Sequence, residues 1–221
     1  MPHHPRPAIT RHHAVHVTLR LAEDLGNVRR ARTYHAFRRA TMVAARKHDA
    51  TIVHLSIQAN HVHLLVEAAD ARQLGEGMRR FAISAARQLN RAVSLERGER
   101  RVGKVFTDRY HATVIKTPRQ ARNALSYVLN NWRRHGANHV YETRDWRFDP
   151  FSSAIHFRGW LEVPDAHVWT ASPAYEPLVV GQAHSWILRV GWRRYGRIPL
   201  AERPGRTACP ARRRSARAAA G

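Results

Sequence analysis

A chain of 221 residues and 25.3 kDa has room for one real hydrophobic core and a small appendage. Hydrophobic residues make up 43% of it, which excludes a disordered polyelectrolyte. The formal net charge is +22, from 38 Lys and Arg against 16 Asp and Glu, and so large a basic excess points to a polyanionic partner.

Only Lys47, Lys104 and Lys116 are lysines. The planar guanidinium fork suits phosphate oxygens better than an ammonium does. A genome rich in G and C would also favour Arg and Ala together, but it does not explain the scarcity of acidic residues. The single cysteine, Cys209, excludes an intramolecular disulfide and a Cys-rich zinc site. Met1-Pro2-His3-His4-Pro5 has no apolar core of a signal peptide, and no segment approaches a membrane-spanning run. The expected location is the cytoplasm, with no membrane partner.

Residues 1–13 are polar and proline-broken and are expected to form a mobile arm. Ala14 to Leu21 alternates Val15, Val17, Leu19 and Leu21 against His16, Thr18 and Arg20, the pattern of a half-buried strand. Val28 to Lys47 places Tyr34, Phe37, Thr41, Ala44 and Ala45 at helical spacing. Thr51 to Gln58 alternates again, with Val53, Leu55 and Ile57 inward and His54, Ser56 and Gln58 outward. Ala59-Asn60 makes a short turn into a strand over His61–Glu67, so the two strands form an antiparallel hairpin. Asp70 to about Val93 predicts a second amphipathic helix, with Leu74, Met78, Phe81, Ala82, Ala85 and Leu89 as its stripe.

Arg97 to Lys104 is a charged loop, and Tyr110 to Lys116 is another strand. Thr117-Pro118-Arg119-Gln120 starts a helix: Thr caps, Pro takes the first position and Gln reaches back. That helix runs to about His135, and Gly136 stops it. The order gives an α+β fold: a ferredoxin-like antiparallel sheet with helices on one face and the helix after Thr117 over the other. The main domain spans residues 14–140. All six tryptophans lie after residue 131, so residues 141–200 form a Trp-rich C-terminal appendage. Residues 201–221 read as a disordered basic tail.

The stretch Asn60-His61-Val62-His63-Leu64-Leu65-Val66 carries the strongest chemical signal. On a strand His61 and His63 share one face, while Val62, Leu64 and Val66 take the other. Two imidazoles on one face can hold one metal ion. With 16 histidines, chance alone gives about one His-x-His pair, so the strand context matters more than the tripeptide. The outward residues of the other strands add His16, Thr18 and Arg20, then His54, Ser56 and Gln58, then His111 and Thr113. An ordinary solvated face is the plainer reading, though such a face favours Lys, Glu and Thr.

In the helix after Thr117 the apolar stripe is Ala121, Ala124, Leu125, Val128, Leu129 and Trp132. Tyr127 falls more than a quarter-turn from its centre, with Gln120, Asn123, Asn130, Asn131 and Arg134. A tyrosine among amides and cations is placed as a reactive or hydrogen-bonding phenol; a plain surface tyrosine is the alternative. Asn131 lies one turn on, on the same side.

The combination resembles the HUH (His-hydrophobic-His) single-tyrosine transposases, and within them the REP-associated tyrosine transposases. The matching pieces are His16-Val17-Thr18-Leu19-Arg20, the His61–His63 stretch, Val105-Phe106-Thr107-Asp108-Arg109-Tyr110-His111, and Tyr127-Val128-Leu129-Asn130-Asn131. They cover residues 14–136. One departure is Asn131-Trp132, where many relatives continue with Asn-Pro. The proline is not a catalytic group, and we read this as a subfamily difference.

The resemblance implies that His61 and His63 bind a divalent metal, Mg2+ or Mn2+, with Asn131 as a third, amide ligand. It makes Tyr127 the nucleophile of a transesterase acting on single-stranded, hairpin-forming DNA, the repeated extragenic palindromes, and places the protein at the nucleoid. An ordinary phenol ionises near pH 10, so help from a metal suits the chemistry. DNA-contact candidates are His16, Arg20, Arg109, His111 and Arg134, with Arg79, Arg80, Arg87 and Arg91 on the second helix and Arg97, Arg100 and Arg101 after it. Two other classes compete: a catalytically inactive, domesticated DNA-binding protein, and an RNA-binding or RNA-processing protein.

Overall fold

The computed structural model describes residues 9–46, 49–134, 147–164 and 175–205. Four strands form one antiparallel sheet in the order β2-β3-β1-β4: β1 is Ala14–Arg20, β2 Ala50–Ile57, β3 His61–Ala68 and β4 His111–Ile115. Helix α1 (Ala31–Ala45) joins β1 to β2, and α2 (Ala71–Arg97) joins β3 to β4. Helix α3 (Pro118–Arg134) follows β4. This is the predicted ferredoxin-like arrangement.

Strand alternation builds a core on each face. Val15, Val17 and Leu19 of β1 and Val62, Leu64 and Val66 of β3 meet Tyr34, Phe37 and Ala40 of α1 and Leu74, Met78, Phe81, Ala85 and Leu89 of α2. Fully burying each such Leu, Val or Phe stabilises the fold by roughly 1.5–3 kcal/mol. On the other face Ala14, Leu65 and Ile115 meet Ala121, Leu125, Val128 and Leu129 of α3. The tyrosine helix therefore lies on the face that carries His61 and His63.

Local signals set the helix ends. Asp70 caps α2 by accepting from Gln73 N at 2.8 Å. Gly98, at φ 74°, ends it in the left-handed region, four residues beyond the expected stop at Val93 and past an exposed Leu95. Thr117 Oγ1 accepts from Gln120 N at 3.2 Å while Gln120 Oε1 accepts from Thr117 N at 3.2 Å, the predicted capping box. The expected stop at Gly136 lies outside the described residues.

Strand β2 departs from its expected phase. Its register shifts between Ile52 and His54, so Ile52 points into the α1–α2 core and Val53 into the α3 core. A bulge places one extra residue in the strand and moves Val53 off the face it would share with Leu55 and Ile57. Nor are His54, Ser56 and Gln58 outward in the solvent sense: they are 7%, 0% and 2% exposed.

The cover is the C-terminal segment. Ile57 N donates to Phe151 O and Ser153 N to Leu55 O, each at 2.8 Å, and Gly181 N donates to Ile52 O at 2.8 Å. The outer edge of β2 is thus paired rather than free. Buried Glu67 of β3 accepts from Ser185 Oγ at 2.5 Å, His184 N at 2.7 Å and Ser185 N at 3.1 Å, fixing the start of a short helix α4 (Trp186–Arg189). Trp160 and Trp192 are 1% and 2% exposed and belong to the α3 core. Both rings are therefore closed to solvent; Trp146 and Trp169 lie outside the described residues. Of the expected basic tail, Glu202 pairs with Arg122 and accepts from Ser126, and residues 206–221 lie outside the described residues, as do residues 1–8 of the expected arm.

Candidate functional site

The site is assembled across three strands. Antiparallel register sets Arg20 opposite His61, Thr18 opposite His63, and His16 opposite Leu65. On its other side β1 sets Thr18 opposite His111 and His16 opposite Thr113. Directly opposed residues share a face, so Ser56, His63, Thr18 and His111 form one row across the sheet. His63 is 4% exposed. His61 is half-buried, and Arg20 and His111 are exposed.

The two imidazoles converge, with Nε2 of His61 and Nε2 of His63 2.8 Å apart. Their other nitrogens have partners. His61 Nδ1 lies 2.7 Å from Asn60 Oδ1, which can only accept, so Nδ1 carries the proton there. His63 Nδ1 lies 3.1 Å from Thr18 Oγ1 and 3.2 Å from His16 Nε2. Burial, with a smaller contribution from the nearby His111, pushes His16 down to about 4.

Tyr127 stands over this pair. Its ring meets His63 edge-on at 5.0 Å between centroids and His16 at 5.7 Å. The guanidinium of exposed Arg134 lies 5.8 Å from the Tyr127 ring centre, at the outer reach of a cation–π contact. One turn on, Asn131 is fully buried, and neither its Oδ1 nor its Nδ2 has a hydrogen-bond partner among the described residues. An unsatisfied buried amide costs about 1–3 kcal/mol, so Asn131 is held in place by its packing rather than by its own hydrogen bonds.

These residues fit a divalent cation. Asn60 leaves the His61 Nε2 lone pair facing His63 Nε2, and two imidazole nitrogens that converge in this way could hold one cation between them. The Asn60 and Thr18 oxygens are the outer partners that orient such ligands. Among the described residues no group of three or more His, Cys, Asp or Glu side chains stands ready to hold a metal.

The remaining candidates divide. Arg79, Arg87 and Arg91 are exposed on α2, across the sheet from the imidazoles, so the fold does not bring them to Tyr127. Arg80 is engaged by Asp49 and Glu76. Arg101 is 8% exposed, held by Asp24, Asn90 and the Lys104 carbonyl. It fixes the loop after α2 and is not available to a DNA backbone. Arg97 donates to the Asp24 carbonyl, while Arg100 and Arg109 are exposed.

Residues to which the sequence assigned no role of their own complete the setting. Thr18 and Asn60 orient the imidazoles, though both stand inside the quoted motifs. Asn130 is buried, not on an open flank, and donates to the Pro199 carbonyl at 3.1 Å. With Glu202 on Ser126 and Arg122, it ties α3 to the C-terminal segment.

The fold thus sets two converging imidazoles beneath a helical tyrosine. The family model described as "Transposase IS200 like" matches residues 12–131, and the chain belongs to the IS200-like transposase family. No curated protein matches the chain. Among solved structures, a REP-associated tyrosine transposase bound to a REP hairpin is 18% identical, with a TM-score of 0.49, covering 81% of this chain and 99% of that one. Among the described residues no helix is long and apolar enough to cross a membrane.

Proposed function

We propose that the protein is a metal-dependent single-stranded DNA transesterase of the REP-associated kind, cleaving and rejoining hairpin-forming DNA through Tyr127. The observation that carries this reading is the Tyr127 ring packed edge-on over His63 and His16, above the converging His61 and His63 imidazoles.

In this reading His61, His63 and Asn131 hold a divalent cation, Mg2+ or Mn2+, which when bound supplies charge to polarise the scissile phosphate. The Tyr127 oxygen attacks phosphorus, its proton leaves to solvent, and the bond to the 3′ oxygen breaks. The products are a 5′-phosphotyrosine and a free 3′-hydroxyl. Bond energy is retained in the protein link, so attack by a 3′-hydroxyl reverses the step without a nucleotide cofactor. Arg134 beside the Tyr127 ring and Arg20 opposite His61 offer charge to the flanking phosphates, and exposed His111 ends the row beside Thr18. An unpaired strand bends into such a site more readily than a duplex does.

Cleavage of a labelled DNA hairpin is expected to require Mg2+ or Mn2+ and to be lost in His63→Ala, with hairpin binding retained. Binding rests on arginine–phosphate contacts and counterion release. Full cleavage in excess chelator would refute the metal role. Preferential cutting of the RNA counterpart would favour RNA processing, and binding without cutting of either would favour a domesticated binder.

The stretch 206–221 holds Arg206, Arg212, Arg213, Arg214 and Arg217. Removing it is expected to flatten the slope of log K against log salt, by about 0.7 for each single-strand phosphate that the stretch would otherwise neutralise. Preference for a cognate over a scrambled hairpin is expected to stay, because arginines on phosphates carry no base information. Anisotropy titrations at several salt concentrations measure both. The cut belongs after Gly205, since removal of Glu202 would also disturb α3.

A further inference from the structure

A cavity of about 750 Å³ opens beside the β2 bulge, and neither the paired imidazoles nor Tyr127 line it. Apart from Val53 and His54, its walls come from residues 156–193, outside the region matched by the family model. Arg158, Arg189 and Arg193 stand exposed around it, and among the described residues no carboxylate lines it. Elsewhere the fold pairs its more buried arginines with acids: Arg29 with Asp149, Arg101 with Asp24 and Arg122 with Glu202. Among the described residues no ion pair engages Arg158 or Arg189. A concave surface ringed by guanidinium groups, with no acid to neutralise them, selects an anion.

The floor supplies a second, independent signal. His54 is 7% exposed, and it lines the cavity. Its Nδ1 lies 3.0 Å from Ser153 Oγ, which also accepts from Leu55 N at 3.0 Å. Ser153 is fully buried, so its hydroxyl proton needs an acceptor, and Nδ1 is the one in reach. The neutral His54 ring therefore carries its own proton on Nε2, where no partner stands among the described residues. Burial, aided by His156, pushes His54 down to about 3, in keeping with a neutral ring. A nearly buried N–H donor without a partner, beneath unpaired cations, is a place for an anionic oxygen. Phe157 and Trp192, 8% and 2% exposed, are the packed wall of the cavity, and the Gly159 backbone presses on both rings.

We propose that this cavity binds a small phosphate-bearing anion free in solution, a phosphate ester or an oligophosphate, held by Arg158, Arg189 and the Nε2 hydrogen of His54. The three donors come from three separate segments, which suits the several oxygens of a phosphate better than the two coplanar oxygens of a carboxylate. The volume is in the range of sites that enclose a small ligand and exceeds the needs of a single phosphate ion. A phosphodiester within a DNA strand carries a sugar on either side, which hinders its approach to a donor as deep as His54. Binding would tie β2 to the turn at Arg158 and to α4. Phe157, Leu188 and Trp192 of those two segments share one core with Leu125, Val128 and Leu129 of α3, so a bound ligand also steadies the seat of the tyrosine helix.

Calorimetric titration of the full chain with pyrophosphate, at physiological ionic strength and without divalent metal, tests the site. Saturable binding of one pyrophosphate per chain is expected. Arg158→Ala/Arg189→Ala is expected to weaken it about a hundredfold, the loss of two charge-assisted contacts. His54→Asn keeps an acceptor for Ser153 but withdraws the deep donor, and is expected to weaken binding about tenfold. Arg32→Ala/Arg39→Ala removes equal charge from exposed positions of α1 and is expected to stay within about twofold. At about a hundredfold excess over Kd, pyrophosphate is expected to raise the unfolding midpoint by about 5–10 °C, a rise that Arg158→Ala/Arg189→Ala loses. No saturable binding, equal weakening by both double variants, or binding indifferent to His54→Asn would each overturn the site. Succinate held as tightly as pyrophosphate would overturn the phosphate assignment. A blunt DNA hairpin that displaces pyrophosphate and itself weakens about tenfold in Arg158→Ala/Arg189→Ala would give the cavity to the DNA backbone and overturn the free ligand. None of these measurements reads chemistry at Tyr127, so their failure leaves the catalytic reading untouched.

Discussion

Tyr127→Phe is expected to abolish the covalent protein–DNA adduct, lowering cleavage by about four orders of magnitude or more, as removal of a sole nucleophile does. The substitution deletes one hydroxyl and keeps the ring. The edge contacts at 5.0 Å to His63 and 5.7 Å to His16 are ring contacts, so the helix is expected to stay in place. Hairpin affinity is then expected to hold within about twofold. A suicide hairpin that traps the 5′ link, run on a denaturing gel, reads the outcome directly. A shifted band from the phenylalanine variant would remove Tyr127 from the mechanism, and attention would pass to another hydroxyl near the imidazoles, Thr18 foremost.

The largest stability effect is expected at Asp149. Arg29 and Asp149 have side chains 3% and 0% exposed. Their contact is bidentate, Nη2 to Oδ1 at 2.7 Å and Nη1 to Oδ2 at 3.1 Å. Arg29 Nη1 also donates to the Ile57 carbonyl at 2.6 Å, and its guanidinium lies 4.6 Å from the Phe151 ring centre. Asp149→Ala leaves that cation buried without its counter-charge, a loss of about 3–5 kcal/mol. Asp149 Oδ1 also accepts from Phe151 N at 2.9 Å, so the turn beside the β2 edge loosens with it. Urea unfolding at neutral pH measures the change. Replacing both partners with apolar residues is expected to recover most of it, because the cost lies in the unpaired charge. A midpoint unchanged in Asp149→Ala would mean that water already reaches Arg29 in the native state.

The sheet, the α1–α2 core and the capping box of α3 were legible because each rests on local periodicity or on a short-range hydrogen bond. His61 and His63 were legible for the same reason, since strand alternation alone puts them on one face. The β2 bulge was not. A single extra residue leaves the hydrophobic pattern readable as plain alternation, and only pairing with β3 shows that Val53 has crossed the sheet. The burial of His54, Ser56 and Gln58 was also hidden, because their cover comes from residues 149–157, about a hundred positions away. Arg101 looked like the other arginines until Asp24, 77 positions upstream, appeared beside it. Charge in sequence does not tell a phosphate ligand from a structural ion pair; partner geometry does.

The clamp on α3 also bears on the order in which the fold is completed. The sheet and both helices of its first core are complete by Ile115, and the tyrosine helix by Arg134. Yet Asn130 finds its acceptor only at Pro199, and Ser126 and Arg122 find theirs only at Glu202. A nascent chain therefore carries its histidines and tyrosine long before the residues that seat the tyrosine helix leave the ribosome. A chain cut short before Pro199 keeps the apolar seat of α3 on Ala14, Leu65 and Ile115 but leaves Asn130, Ser126 and Arg122 without these partners.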